Sequence, residues 1–347
     1  MKNFGFLNKT GLNFQDDILF YKNIIKDSFV KYAFDNTFCT FKSINDIIYL
    51  IYSKKNSSII TYNLISQQII NEIKNAHTKY ISSLRHCLDR INKIDLIMSI
   101  SAEDNNIKIW NAFNLSCLLS IINANNTGLI LSSCFLNYND EIYIITSNRN
   151  WENNNIEFIK VYDLKGNKIK EINNSNNNTF FIDNYYDKNL SKNYIITGNE
   201  GFSASFDYEE NKLYKKYCGY GKLFNRSIII YDKEEIIKLI ESNDEGIIII
   251  WNFHTGEFLN NIKISDSYLC GICLWNKDYL FIGNYNTEII ILDLSNEKLI
   301  NNLNYHRNSV ITIKKLIHPK YGKCLLSQSL SNGQIFLLAF KNANIYK

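Results

Sequence analysis

The chain has 347 residues, 14% of them aromatic, a single proline, and 38 Lys plus Arg against 34 Asp plus Glu, a formal net charge of +4. Basic residues fall in isolated pairs such as Lys54-Lys55, Lys215-Lys216 and Lys314-Lys315, so no clustered cationic face marks a nucleic-acid or anionic-membrane binder. No apolar run approaches the roughly 18 residues of a membrane span, and the first residues lack the apolar core of a signal peptide; an intracellular, cytoplasmic protein without stable membrane insertion is expected.

In chain order, residues 1–16 form a polar lead, and Asp17-Ile18-Leu19-Phe20-Tyr21-Lys22 reads as a short strand with no local partner. From there one pattern recurs: an apolar strand, a polar corner, a strand of period-2 alternation, then an Asn- or Asp-bearing turn. Its clearest copy runs from Ser99 to Ile121. Aligned on one aromatic or apolar position, seven copies place anchors at Tyr62, Trp110, Tyr162, Phe206, Trp251, Leu292 and Leu338, separated by 48, 52, 44, 45, 41 and 46 residues. A period of roughly 40 to 50 residues with four strands per unit is that of a propeller blade, whereas helical arrays would place apolar residues at 3.6-residue spacing. The sequence therefore predicts an all-β, seven-bladed β-propeller of four-stranded antiparallel blades, one domain spanning residues 17–343. Residues 18–21 are expected to complete the last blade, closing the ring and removing an exposed edge. The abundance of Asn, Ile, Lys and Tyr fits an A+T-rich protist genome.

The second copy carries His77 within Ala76-His77-Thr78, then Ser99, Asp104 and Trp110. Those four residues resemble the structural tetrad of the WD-repeat family, and the resemblance extends from about residue 17 to 340. Blade five keeps Glu245-Gly246, Trp251-Asn252 and the turn His254-Thr255-Gly256-Glu257; blade three keeps Tyr162-Asp163, and blade six Leu292-Asp293. Blade seven keeps His306 but has Leu338 at the Trp position and Asn332-Gly333 at the corner. The resemblance implies a network in which Asp104 accepts a hydrogen bond from His77, and His77 links through Ser99 to the indole of Trp110.

His, Ser and Asp together are also the residue types of nucleophilic catalysis, but no Gly turn adjoins Ser99 to form an oxyanion site. No phosphate loop or zinc-protease helix occurs. Eight cysteines lie mostly in apolar text; only Cys270 and Cys273 stand at motif spacing, and no second pair completes a four-ligand metal set. No enzymatic activity, cofactor or metal is expected.

Proteins of the WD-repeat type usually bind peptides at the end of the ring where the corners and the histidine-bearing loops gather. By that resemblance the candidate partner-binding residues are Lys79, Tyr80, Glu103, Asn199, Asp244, Tyr268, Tyr285, Arg307 and Ser309. Blade three adds an eight-residue insertion, residues 148–155, bearing Arg149 and Trp151, types enriched at interface hot spots. Neutral drift with Trp151 folded back onto its blade is the reading favoured over a contact role, because added length in a surface loop costs little. A non-enzymatic scaffold holding protein or peptide partners in a multi-subunit complex is the reading these residues favour, with the oligomeric state open. The alternative is a phosphoinositide-binding, membrane-recruited propeller. That class carries Phe-Arg-Arg-Gly, and the nearest text here is Phe224-Asn225-Arg226-Ser227, with one arginine.

Overall fold

Short runs of β-branched and aromatic residues separated by Asn, Asp and Gly corners fold into antiparallel strands throughout. The computed structural model describes residues 18–31, 36–43, 45–122, 124, 129–147, 158–174, 179–218, 225–231, 236–331 and 333–340. Arg149 and Trp151 lie outside the described residues, as do Asn332, Phe224 and residues 1–16.

Among the described residues, twenty-eight strands form seven four-stranded sheets, the blades of a β-propeller. Six blades are continuous meanders over residues 38–73, 83–121, 133–173, 179–218, 225–263 and 269–303. The seventh joins three strands over residues 310–340 to Ile18–Ile25, the first of the described strands. That strand pairs antiparallel with Ile335–Phe340, from Ile18 opposite Phe340 to Ile25 opposite Ile335. The clasp is thus twice as long as residues 18–21 alone. It continues into isolated bridges of Val30 with Ser331 and Ser28 with Lys54, which tie blade seven to blade one.

The anchors share one position in each sheet. Tyr62, Trp110, Tyr162, Phe206, Trp251 and Leu292 pair with an apolar residue of the preceding strand, and the register toward the outer strand shifts immediately before each of them. A bulge there twists the outer strand into its hairpin. The next residue is always Asn or Asp, and its side chain accepts from backbone N–H groups of the turn: Asn63 from Ile65 at 2.8 Å, Asn111 from Phe113 at 3.0 Å, Asp163 from Lys165 at 2.9 Å, Asp207 from Glu210 at 2.9 Å, Asn252 from His254 at 3.0 Å and Asp293 from Ser295 at 2.9 Å. These are Asx-type turns, in which a short polar side chain stands in for backbone. Leu338 of blade seven has neither device: Tyr21 lies opposite it in regular register, and Ala339 follows. Its outer strand arrives from the other end of the chain, so there is no hairpin to bend or cap.

The core lies between blades. Trp110, Ile97 and Leu84 of blade two pack on Phe41, Tyr49 and Ile51 of blade one, and blade seven packs Leu325 and Leu338 against Phe281 and Ile291 of blade six. Each such buried side chain contributes roughly 1.5 to 3 kcal/mol relative to exposure. Around the axis, Arg85 of blade two reaches past blade three to Asp183 of blade four (Nη1 to Oδ2, 3.3 Å) and donates to the Ile182 carbonyl at 3.2 Å. At the corner of blade five, Gly246 has φ +77°, and a Cβ there would stand 2.0 Å from the Ser265 carbonyl oxygen. Only glycine meets both demands.

Candidate interaction surface

In blade two, the chain of donors runs in one direction. The Trp110 indole donates to Ser99 Oγ at 2.8 Å, Ser99 Oγ stands 2.8 Å from His77 Nε2, and His77 Nδ1 stands 3.2 Å from Asp104 Oδ2. Since the indole can only donate, the hydroxyl proton goes to Nε2 and the imidazole proton to Asp104. Asp104 also accepts from the backbone N–H of Thr78 at 3.1 Å, the Thr78 hydroxyl at 3.1 Å and the N–H of Asn106 at 3.0 Å. Burial pushes the Asp104 carboxyl up, but the His77 hydrogen bond and charge, with the two backbone donors, outweigh it and hold the group below the ordinary carboxylate value.

The order Asp104, His77, Ser99 is that of a nucleophilic triad, yet Ser99 has no exposed surface and its hydroxyl lies between Trp110 and His77. No substrate carbonyl reaches it. The four side chains instead join the loop before the blade to its second and third strands. Buried polar groups left without partners would cost about 1 to 3 kcal/mol each.

Other blades place different chemistry at the Ser99 position. In blade five it is Glu241, fully buried, accepting from the Trp251 indole at 2.9 Å and from the hydroxyl of Ser203 in blade four. Burial pushes this carboxyl up to about 7 despite those donors. In blade seven, Ser327 meets His306 Nε2 at 2.8 Å, and burial pushes the imidazole down to about 4. Blade four holds Thr197 there, in a buried amide and hydroxyl network with Asn174, Thr179 and Asn199.

Strands alternate in direction within each blade, so the loop entering a blade and the corner between its second and third strands lie at one end of the ring. There the candidate residues fall into two groups. Lys79, Tyr80 and Glu103 line one groove of about 480 Å³ with Lys31, Lys55 and His77. Glu103 is ion-paired with Lys31, whose ammonium lies 5.2 Å from the Tyr80 ring centre, and Phe29 packs on Tyr80 at 4.9 Å. Around blades six and seven, Tyr268 and Tyr285, 48% and 37% exposed, meet edge to face at 5.4 Å. Arg307 is exposed and Asp244 half-buried.

Two candidates are not surface residues. Asn199 has no exposure, because its amide is held by Asn174, Thr179 and Thr197. Ser309 is buried and donates to the Tyr285 carbonyl at 3.0 Å, so it shapes the Tyr285 corner from beneath. His254, in a hairpin turn, links blades: its Nδ1 lies 3.0 Å from the Tyr214 hydroxyl and its Nε2 3.1 Å from Asp187 Oδ2. Sequence reasoning missed Lys31 and Lys55. The only signal was the Lys54-Lys55 pair, of which Lys54 is turned to Asp27 and Glu72.

Among the described residues no group of three His, Cys, Asp or Glu side chains is placed to hold a metal ion, and no helix is long and apolar enough to cross a membrane. Comparison of the chain with protein-family models and with curated proteins gave no match. The chain is a seven-bladed β-propeller of four-stranded blades, an architecture compatible with the WD-repeat type.

Proposed function

We propose that this propeller is a non-enzymatic scaffold that holds protein partners at the end of the ring carrying the Lys79, Tyr80 and Glu103 groove and the Tyr268 and Tyr285 pair. The observation that carries this reading is the grouping of exposed or half-exposed aromatic and charged side chains from separate blades at one end. Aromatic residues and arginine at such a mouth match the types that dominate protein interfaces. The buried, mutually satisfied His77, Ser99 and Asp104 support a role in rigidity rather than in chemistry. By residue type alone, Arg149 and Trp151 of the blade-three insertion are proposed as additional contacts.

Affinity capture from extracts of the source cells, with the wild-type protein and with a Lys79→Ala, Tyr285→Ala, Arg307→Ala variant, tests the reading. The wild type is expected to recover a reproducible set of proteins that the variant loses. Recovery of no specific protein by the wild type rejects the scaffold; equal recovery by both rejects this end of the ring.

A further inference from the structure

The groove between blades one and two has a charge imbalance. Lys31 is matched by Glu103, and Lys54, just outside, by Asp27 and Glu72. Lys55 and Lys79 line the same groove, are exposed, and have no ion-pair partner among the described residues. The groove lining therefore carries three ammonium groups against the one carboxylate of Glu103 in a concave setting, with the Asp104 carboxylate beneath Thr78 already taken up by His77 and Thr78. Concavity matters because low-dielectric walls strengthen the field on a bound anion relative to a flat surface.

The backbone under these lysines is fixed. The Ser57 hydroxyl donates to the Lys79 carbonyl at 2.6 Å, the Ala76 N–H donates to the Ser57 carbonyl at 3.0 Å, and Ser57 N–H donates to the Lys54 carbonyl at 2.9 Å. Thr78, adjoining Lys79, is held twice by Asp104. Little loop ordering would then be spent on binding. Tyr80, backed by Phe29, supplies a half-buried aromatic wall.

We propose that this groove binds an acidic segment of a partner protein, with Lys55 and Lys79 taking Asp or Glu carboxylates and Tyr80 contacting the flanking peptide. The inference rests on the scaffold reading and names the chemistry of one partner. Glu103, within the groove, favours a peptide carrying separated carboxylates. It would repel the dense charge of a multiply phosphorylated lipid headgroup.

The test is selection of short random displayed peptides on the full chain, followed by anisotropy measurements with the synthetic winners. Asp and Glu are expected to be enriched, affinity to fall with added salt, and binding to weaken by about tenfold or more in Lys55→Glu, Lys79→Glu. The Lys55→Gln, Lys79→Gln variant, checked for an unchanged melt, guards against misfolding and should lose a similar factor. Winners without acidic residues, or acidic winners that bind the folded variants equally well, overturn the proposal. So does lysine-dependent capture of phosphoinositide-containing vesicles without selection of acidic peptides. Failure here with partner capture intact removes the acidic ligand alone; loss of all specific capture removes the scaffold beneath it.

Discussion

The indole N–H of Trp251 donates to a buried carboxyl oxygen of Glu241 at 2.9 Å, at the position where Trp110 of blade two meets the hydroxyl of Ser99. One propeller thus solves the same donor problem with a neutral acceptor in one blade and a titratable acceptor in another. Burial raises the Glu241 carboxyl from 4.5 to about 7, so the folded chain holds a proton that the unfolded chain has released. Stability from this group accordingly falls as pH rises from 4.5 to 7 and stays reduced above. Glu241→Gln, neutral at every pH and still able to accept from Trp251, is expected to raise stability above pH 7 by roughly 1 to 3 kcal/mol. It should leave the melt near pH 4.5 unchanged. A melting curve of the variant that tracks wild type across the whole range rejects the buried charge.

His306 acts with the opposite sign over an overlapping window. Its imidazole is lowered from 6.5 to about 4 by burial, so between those values the unfolded chain binds a proton that the folded one refuses. Stability is then lost as pH falls through that range. In the Glu241→Gln background, where the rising contribution is gone, melts should decline steadily from pH 6.5 to 4. Replacement by His306→Gln, keeping a donor toward Ser327, should flatten that decline.

Removing Asp104 leaves His77 and the Thr78 N–H and hydroxyl without their shared acceptor. Asp104→Ala is expected to cost roughly 1 to 3 kcal/mol of stability by thermal or denaturant unfolding. Because the carboxyl is held below its ordinary value, its contribution should persist above pH 3.8 and vanish only on stronger acidification. An unchanged melt for the variant contradicts a fastening role.

The Asx turns give a paired comparison. Asp293 accepts from Ser295 and Asn296 N–H groups and from the Asn296 amide, whereas Ala339, at the same place in blade seven, leads into no hairpin because its outer strand is Ile18–Ile25. Asp293→Ala should destabilise by about 1 kcal/mol through loss of the turn. Ala339→Asp should gain nothing and destabilise more, because it buries a carboxylate at a fully enclosed position. Urea midpoints for the two variants would reveal any reversal of that order.

The propeller was legible because each blade repeats a local device. The anchor, the bulge before it and the Asn or Asp after it are set within a few residues, so they survive as a period in the chain. Blade seven departs at Leu338 and Ala339 for a topological reason, since its outer strand is Ile18–Ile25. The groove was only half legible. Lys79, Tyr80 and Glu103 belong to repeat corners, but Lys31 comes from the link between the clasp and blade one, and Lys55 from another corner; no sequence spacing joins them. Glu241 was invisible for a different reason: within an apolar strand, a lone Glu has no motif to announce its Trp partner ten residues on. Asn199 misled because a corner position says nothing of which way an amide turns.

The pairing of Ile18 with Phe340 sets an order of events during synthesis. Six other blades lie in sequence between the two parts of the last sheet, so the strand Ile18–Ile25 must wait for all of them to leave the ribosome before Ile335–Phe340 can pair with it. Until then the nascent array presents an open edge at blade one, and contacts of such sequence separation form late and slowly. A premature stop anywhere before the last strand would leave every completed blade present and the circle unsealed, a species suited to capture by chaperones or by another incomplete copy.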